Sequence, residues 1–226
     1  MKIIAHRGFK DMNHENTLEA FQYAIEQKAD YIEFDLHRTK DNIIVIFHDA
    51  FFKGKLINNY VYSELLEASN KAGFKIPTFE ETLKLAKGKI KCDIELKEAG
   101  YEKEILDLTL KYLNINEFII SSFIEESLGK MKELNPDIET GLIIGADIEE
   151  NKLKTRLSEI FPSKQLKVAK ANYLIAHNYF IDYFFITRFY PNYKIWIWTD
   201  KKPNKLKRYI DNKKIDGIII DAPAIK

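Results

Sequence analysis

The chain has 226 residues, 46% of them hydrophobic, and its 35 Lys and Arg residues nearly balance its 34 Asp and Glu residues, which leaves a formal charge of +1. This length suits one large domain, so we expect residues 1–226 to form a single domain. A charge so close to neutral disfavours nucleic acid as a partner, because proteins that bind the phosphate backbone usually have a strongly basic face. The single cysteine, Cys92, excludes an intramolecular disulfide and a cysteine-rich zinc site.

No targeting or membrane segment is evident in the sequence. No apolar run approaches the roughly 20 residues that a membrane-spanning helix needs. The first residues, Met1–Gly8, hold a short apolar stretch followed by histidine and arginine, which does not fit a signal peptide. We therefore expect a cytoplasmic protein with no transmembrane segment. A homodimer is compatible with this sequence but does not follow from it.

Short β-type runs alternate with helix-type segments along the chain. The predicted strands are Ile3–His6, Tyr31–His37, Ile90–Lys97, Phe118–Ser121, Thr140–Ile144, Ala171–Ile175, Ile195–Thr199 and Asp216–Asp221. The predicted helices are Thr17–Lys28, Thr78–Lys87, Glu102–Tyr112, Glu125–Leu134, Asn151–Phe161, Tyr179–Phe189 and Asn204–Lys213. Eight strands alternating with helices favour an α/β fold closed as a (β/α)8 TIM barrel over an open sheet.

Three stretches depart from a regular repeat. Residues 38–78 form an excursion between strands 2 and 3 that is longer than the other connections. It contains a short insertion after strand 2 with a second strand-like segment, Ile43–His48. Only five residues follow Asp221, so we expect the last helix to be reduced or missing. The segment Tyr179–Tyr190 holds seven aromatic residues, which favours an outer helix packed on the sheet, with an exposed surface for a second subunit or a lipid interface as the alternative.

The second strand has one acidic face. Side chains two residues apart share a face of a strand, so Glu33, Asp35 and His37 point to one side and the apolar residues between them to the other. Inside a barrel, two carboxylates on one face would repel each other unless a cation lay between them. We therefore predict that Glu33 and Asp35 bind a metal or take part in catalysis. A strand with its polar face in water is the alternative, and for His37 a structural role is favoured.

The third strand repeats this pattern with Asp93, Glu95 and Lys97. Active sites of these barrels lie at the C-terminal ends of the strands, so Glu95 and Lys97 are well placed, whereas Asp93 lies deeper and is interpreted as structural. Carboxylates from Glu33, Asp35 and Glu95 would form an all-oxygen site, which suits one divalent cation, Mg²⁺ or Ca²⁺. Lys97 beside that site would complement a bound anion.

Two histidines and an arginine lie at further strand ends. The first strand ends in His6-Arg7-Gly8, where Arg7 can hold a phosphate through two parallel N–H bonds. The strand-like segment of the excursion ends in His48-Asp49. One imidazole can act as base while another acts as acid, which suits phosphate-ester chemistry without a cysteine or serine nucleophile. A lone histidine at a strand end is more often structural, so the sequence leaves open whether His6 and His48 face each other.

Nine motifs then follow one another along nearly the whole chain. They are His6-Arg7-Gly8, Glu15-Asn16-Thr17 with Ala20-Phe21, Glu33 with Asp35, His48-Asp49, Ile76-Pro77-Thr78, Glu95 with Lys97, Ser122-Phe123, Trp198-Thr199, and Asp216-Gly217 with Asp221 and Pro223. In order and approximate spacing they resemble the glycerophosphodiester phosphodiesterase family, which is similar to the phosphatidylinositol-phospholipase-C-like barrels. The resemblance implies a TIM barrel, a divalent cation, and hydrolysis of deacylated phospholipids, which are small-molecule glycerophosphodiesters, to glycerol 3-phosphate and an alcohol.

The resemblance also implies a role for particular residues. These are the catalytic acid and base His6 and His48, the metal ligands Glu33, Asp35 and Glu95, the phosphate ligands Arg7 and Lys97, and Trp198 on the pocket floor. Glu15 and Asn16 would brace the first loop. Departures from the family pattern, such as His14 in place of a common proline, bear on the head group rather than on the reaction. Phe51 and Phe52, beside His48, are predicted equally well as pocket wall or as loop packing.

Two other functions remain open. Similar residues occur in barrels that act on lysophospholipids, either as a lysophospholipase-D-like enzyme or by forming a cyclic phosphate. A non-catalytic phosphodiester-binding module is a different class of protein. Such a module would be expected to have lost a histidine or a carboxylate of the set, and this chain has lost none.

Overall fold

The computed structural model describes residues 1–11, 14–145, 162–178, 185–200 and 214–223. The strands of this part of the chain are β1 Lys2–Ala5, β2 Tyr31–Arg38, β3 Ile44–Ile46, β4 Phe51–Phe52, β5 Lys55–Leu56, β6 Lys91–Leu96, β7 Phe118–Ser122, β8 Glu139–Ile144, β9 Tyr173–His177, β10 Lys194–Asp200 and β11 Gly217–Ile220. Its α-helices are α1 Leu18–Glu26, α2 Tyr62–Asn70, α3 Phe79–Ala86, α4 Glu102–Tyr112, α5 Glu125–Leu134, α6 Ser163–Ala169 and α7 Phe185–Phe189.

Eight parallel strands, β1, β2 and β6 to β11, form a closed barrel. Each pairs with the next along the chain, and β11 returns to pair with β1, which also pairs with β2. The register at the closure places Lys2 opposite Gly217 and Ala5 opposite Ile220. The predicted TIM barrel is confirmed, and each of the eight predicted strands is present. The largest difference between predicted and observed strand boundaries is at β9, which begins two residues later than predicted.

The helices predicted at 17–28, 78–87, 102–112 and 125–134 are present as α1, α3, α4 and α5. The predicted helices at 151–161 and 204–213 lie outside the described residues. The aromatic segment 179–190 is described only from residue 185, and the expectation of a reduced last helix falls on residues 224–226, also outside the described part. None of the described helices combines the length and the apolar character needed to cross a membrane.

Local sequence signals explain where the early helices begin. The Thr17 hydroxyl accepts a hydrogen bond from the backbone N–H of Ala20, at 3.2 Å, and so caps α1. Before α3, Thr78 and Glu81 form a capping box in which each side chain accepts from the backbone N–H of the other residue. These caps set the start of α1 and α3, and therefore how much loop remains at the C-terminal ends of the strands before them.

The excursion between β2 and α3 forms a small subdomain. Its strand β3 pairs antiparallel with β2, with Leu36 opposite Ile46, as the strand-like segment 43–48 suggested. The hairpin of β4 and β5 and the helix α2 were not predicted from sequence. Their apolar side chains form a separate cluster, comprising Val45, Phe52, Ile57, Tyr60, Leu65 and Ile76. Phe52 is buried there, whereas Phe51 is 57% exposed. Of the two predicted alternatives, pocket wall and loop packing, Phe52 therefore follows the second.

The barrel strands carry two distinct sets of side chains. Ile32, Phe34 and Leu36 of β2 face outward and pack with the surrounding helices. Inside the barrel, a second cluster contains Trp196, whose ring makes edge contacts with neighbouring aromatic rings on β2 and β9. A Cβ at Gly217 would lie 2.7 Å from the Trp196 indole, so this glycine makes room for the tryptophan. The barrel is thus filled below the cavity described next.

Candidate active site

The C-terminal ends of the barrel strands surround a cavity of 220 Å³. Its polar lining comes from His6, Arg7, Glu33, His48, Asp93, Glu95, Lys97 and Ser121, and its apolar lining from Phe123, Ile143, Ile175, Trp198 and Ile219. Seven of the eight site residues predicted from sequence line this cavity. The eighth, Asp35, lies directly beside Glu95 across the β2–β6 pairing. The polar residues come mainly from β1, β2 and β6, so the cavity has a charged side and an apolar side.

A tight turn after β1 brings His6 and Arg7 to the cavity. Gly8 in this turn has φ +80°, and a Cβ there would lie 2.7 Å from the Cβ of Ala20 on α1. Glycine is therefore needed both for the backbone conformation and for the close approach of the helix. Arg7 adopts a left-handed conformation with φ 49°, which is uncommon for a residue with a side chain. The turn aims the Arg7 backbone N–H at Glu33, 2.9 Å from its Oε2.

Three buried carboxylates form the centre of the charged side. One oxygen from each of Glu33, Asp35 and Glu95 lies within 4.8 Å of the others. Burial raises the pKa of Glu33 well above its usual value, and the charges of Asp35 and Glu95 raise it further. Burial and the charge of Asp35 raise the pKa of Glu95 to about 7, against the opposing effect of Lys97. The cluster is therefore electrostatically unfavourable unless further positive charge lies next to it.

These carboxylates fit a divalent cation. Oε1 of Glu33 is buried and accepts no hydrogen bond from the described residues. A buried oxygen without a donor is costly, and a cation bound there would remove that cost. Three carboxylate oxygens also make a hard donor set, which suits Mg²⁺ or Ca²⁺. The cluster could thus hold the cation that the acidic strand faces predicted.

Two basic side chains balance the carboxylates. Lys97 Nζ lies 2.9 Å from Asp35 Oδ1 and 2.6 Å from Glu95 Oε1. Arg7 Nε lies 3.4 Å from Asp35 Oδ2, and its Nη1 donates to Glu15 at 2.8 Å. Burial would raise the pKa of Asp35, but the charges of Lys97 and Arg7 hold it well below its usual range. Asp35 is therefore the most readily ionised member of the cluster, with a basic side chain on either side.

Asn16 also supports Asp35. Its backbone is left-handed, with φ 57°, and its Nδ2 donates to Asp35 Oδ2 at 2.8 Å. Asn16 is buried, and it belongs to the same loop as Glu15, which holds Arg7. The sequence interpretation that Glu15 and Asn16 brace the first loop agrees with these contacts. Glu15 and Asn16 thus fix the positions of Arg7 and Asp35 through hydrogen bonds.

His6 is held by a residue near the opposite end of the sequence. Its Nδ1 lies 2.5 Å from Oδ1 of Asp221, and its Nε2 lies 3.9 Å from Oε2 of Glu33. Burial lowers the pKa of His6, although the hydrogen bond that His6 donates to Asp221 works against this shift. A neutral ring that donates its Nδ1–H to Asp221 leaves the Nε2 lone pair able to accept a proton. The sequence motifs included Asp221, but no role was predicted for it.

His48 reaches the cavity from the loop after β3 and is more exposed than His6. Its Nδ1 lies 2.7 Å from Oδ1 of Asp49, and its side chain is 35% exposed. Burial lowers the pKa of His48, while the charge of Asp35 raises it. His37, by contrast, does not line the cavity. Its Nδ1 lies 2.6 Å from Glu98, and its Nε2 faces the backbone carbonyl of His48, so its role is different.

Asp93 lies deeper than Glu95 and was interpreted as structural. It lines the cavity, and its Oδ1 accepts a hydrogen bond from Ser121 Oγ at 2.6 Å. Burial raises the pKa of Asp93 to about 8, although the Ser121 hydrogen bond opposes the shift. A carboxyl with this pKa is mostly neutral at pH 7. Asp93 therefore adds a polar floor to the cavity and little charge.

Trp198 forms part of the apolar side. Its Nε1 donates to the backbone carbonyl of Ile144 at 3.1 Å, which leaves only the apolar surface of the ring for the cavity. The ring also makes edge contacts with Phe123 and His177, with centroids 5.9 Å and 4.9 Å away. The tryptophan is thus held on several sides and lines the cavity, while its contact with substrate stays a prediction.

Comparison with known proteins supports a common origin for this arrangement. A profile of the glycerophosphoryl diester phosphodiesterase family matches residues 6–225. A glycerophosphodiester phosphodiesterase of Bacillus altitudinis is 33% identical over 162 residues, which cover 63% of this chain and 66% of that protein. A match of this extent spans just under two thirds of the relative's length.

Solved structures show the same fold. A glycerophosphodiester phosphodiesterase from Parabacteroides distasonis has a TM-score of 0.80 and 25% identity, with 98% of this chain and 93% of that chain covered. An Oleispira antarctica phosphodiesterase in complex with the product sn-glycerol-3-phosphate has a TM-score of 0.79 and 23% identity, with 99% and 94% covered. Because the family profile spans nearly the whole barrel, this chain belongs to the glycerophosphoryl diester phosphodiesterase family.

Proposed function

We propose that this protein is a metal-dependent phosphodiesterase that hydrolyses glycerophosphodiesters to glycerol 3-phosphate and an alcohol. The observation that carries the proposal is one cavity lined by two histidines, two basic side chains and two carboxylates of the three-carboxylate cluster. Membership of the family supports the reaction type. The glycerol 3-phosphate bound to the Oleispira antarctica phosphodiesterase supports the same product here.

The charged side of the cavity would bind the phosphate. Glu33, Asp35 and Glu95 would hold the cation, which when bound would polarise a phosphate oxygen and lower the pKa of a nearby hydroxyl. Arg7 and Lys97 would bind the remaining phosphate oxygens and stabilise the charge that develops on them in the transition state. Their contacts with Asp35 fix their positions before the substrate enters, so little reorganisation is needed.

The two histidines would move the protons. Nε2 of His6 would take the proton from the attacking group, either the glycerol 2-hydroxyl or a water, and Asp221 would stabilise the imidazolium that forms. His48, nearer the solvent, would donate a proton to the oxygen of the departing alcohol. If the 2-hydroxyl attacks, a cyclic phosphate forms, and the two histidines exchange roles when water opens it. If water attacks phosphorus directly, the first pair of proton transfers completes the hydrolysis, and no cyclic phosphate has to be opened.

The apolar side of the cavity would contact the carbon atoms of the glycerol. Ile143, Ile175 and Ile219 come from three different strands and carry no hydrogen-bonding groups in their side chains. Trp198 and Phe123 extend this surface. A cavity of 220 Å³ suits a small deacylated glycerol.

The test is the release of glycerol 3-phosphate from glycerophosphocholine, glycerophosphoethanolamine and glycerophosphoglycerol. We expect release with Mg²⁺ or Ca²⁺, loss of release in EDTA, and recovery when the cation is added back. The parallel substrate is lysophosphatidylcholine, whose conversion to lysophosphatidic acid would indicate a lysophospholipase-D-like enzyme instead. Binding of these substrates by folded, metal-supplied protein without any product would indicate a binding module and contradict the proposal.

A further inference from the structure

We infer that His37 is a positioning residue for His48, acting through a hydrogen bond to the His48 backbone and a second contact with Glu98. The inference rests on the proposed catalytic role of His48. His37 itself is buried, with 3% of its surface exposed, and it does not line the cavity. It therefore touches neither the substrate nor the reacting atoms, and its effect on the reaction would have to pass through another residue.

The β2–β3 pairing ends just before His48. Arg38, His37 and Leu36 pair with residues 44–46, and the Phe47 N–H donates to the carbonyl of Asp35 at 3.0 Å. His48 is the next residue, and it lies beyond the last backbone bond of this ladder. The β2–β3 pairing therefore leads the chain to the cavity mouth, but its backbone hydrogen bonds end before His48.

The His37 side chain continues the pairing where the backbone stops. Its Nε2 lies 3.2 Å from the carbonyl oxygen of His48. A carbonyl can only accept, so Nε2 carries a proton and donates it. At the other end of the ring, Nδ1 lies 2.6 Å from Oε1 of Glu98, which follows Lys97 on the loop after β6. The buried ring thus joins the loop that carries Lys97 to the loop that carries His48.

The other contacts of His48 are too exposed to fix it. Its hydrogen-bond partner Asp49 is 70% exposed, and the His48 side chain is 35% exposed, so water competes for both groups. Loss of the bond from His37 would leave the His48 carbonyl without this buried donor. The residue after the ladder could then shift, and a displacement of about 1 Å at a catalytic group can cost roughly 100-fold in rate.

Two substitutions separate the contacts of His37. In His37→Gln, the amide nitrogen stands near the position of Nε2 and can still donate to the His48 carbonyl. In His37→Asn, the amide can face Glu98 but is too short to reach that carbonyl. We expect His37→Asn to lower kcat roughly 10- to 100-fold with little change in KM or in the metal concentration needed, and His37→Gln to recover most of that loss.

A double-variant cycle with His48→Ala provides the decisive readout. If His37 acts through His48, then His37→Asn should change the residual rate of the His48→Ala enzyme less than about twofold. Thr109→Val removes a buried hydrogen bond on α4 by a residue that does not line the cavity, and serves as the matched control whose kcat should not change. Thermal unfolding of each variant verifies that it is folded.

Three outcomes would overturn the inference. These are a His37→Asn enzyme as fast as the parent, equal losses in the parent and His48→Ala backgrounds, and a His37→Gln enzyme as slow as the His37→Asn enzyme. The last of these would show that the bond to the His48 carbonyl does not sustain the rate, because His37→Gln keeps that bond. A parent protein that releases no glycerol 3-phosphate would instead refute the proposed function, so the two failures are distinguishable.

Discussion

Replacing Glu95 with Gln should stabilise the metal-free protein, and more so as the pH rises. Burial and the charge of Asp35 raise the pKa of Glu95 from 4.5 to about 7. The folded state therefore binds this proton more tightly than the unfolded chain does. Its contribution to stability is fully present below the unfolded value and is lost as the pH rises through about 7. Gln keeps the shape of the side chain without the charge and removes this pH-dependent loss.

The size of the effect follows from the pKa difference. One pKa unit corresponds to about 1.4 kcal/mol, so a rise from 4.5 to about 7 amounts to about 3 kcal/mol at pH 8.5. Part of this loss is already present at pH 5, so the gap in unfolding free energy between the variant and the parent should widen by about 2–3 kcal/mol from pH 5 to pH 8.5. For a chain of this length, that is a difference of roughly 5–10 °C in Tm.

The assay is thermal and urea unfolding in EDTA at both pH values, repeated with Mg²⁺. Cation binding should stabilise the parent, because a ligand that binds only the folded state raises its stability, and it should stabilise Glu95→Gln less. Glu64→Gln is the matched control, since its side chain is 57% exposed and pairs with Lys55 at the surface. A gap that stays constant between pH 5 and pH 8.5, or a variant less stable than the parent at both, would refute the reasoning.

The remaining predictions concern the histidines and the first turn. His6→Ala or His48→Ala should lower kcat roughly 10²- to 10⁴-fold, and a rate within tenfold of the parent would remove that residue from the acid–base pair. Asp221→Asn should lower kcat on the order of 10³-fold with KM little changed, because the amide would present an N–H to Nδ1 of His6 and favour the wrong tautomer; steady-state rates equal to the parent's would contradict this. Gly8→Ala should lower the free energy of unfolding by about 2 kcal/mol, measured in urea, because its Cβ would meet Ala20 and its backbone is left-handed; an unchanged urea midpoint would show that the turn relaxes freely.

The sequence predicted the features that depend on local spacing. The two-residue alternation in β2 and β6 identified Glu33, Asp35 and Glu95 as inward-facing, because side-chain direction in a strand follows from position alone. The barrel followed from the repeated strand–helix pattern. The β4–β5 hairpin was missed although Gly54, with φ +77°, marks its turn. Helix α2 was missed because it lies inside the excursion, outside the strand–helix repeat, and has no side-chain N-cap.

Contacts between distant parts of the chain could not be predicted in the same way. No local pattern indicates that Asp221 binds His6 or that Glu98 binds His37, because each pair meets only when the barrel is assembled. The isoleucines on the apolar side of the cavity were missed for a related reason. Ile143, a typical strand residue of β8, cannot be told from ordinary core by its type, and only the closed barrel places it beside the cavity.

The hydrogen bond between His6 and Asp221 spans 215 residues of sequence and crosses the β1–β11 closure of the barrel. The proposed base is therefore oriented only after the last strand has docked against the first. A chain that is still being synthesised, or one truncated before β11, would lack the carboxylate that orients His6. Phosphodiesterase activity in this fold would then report barrel completion, and the recovery of activity during refolding should follow the slowest long-range pairing rather than the formation of the helices.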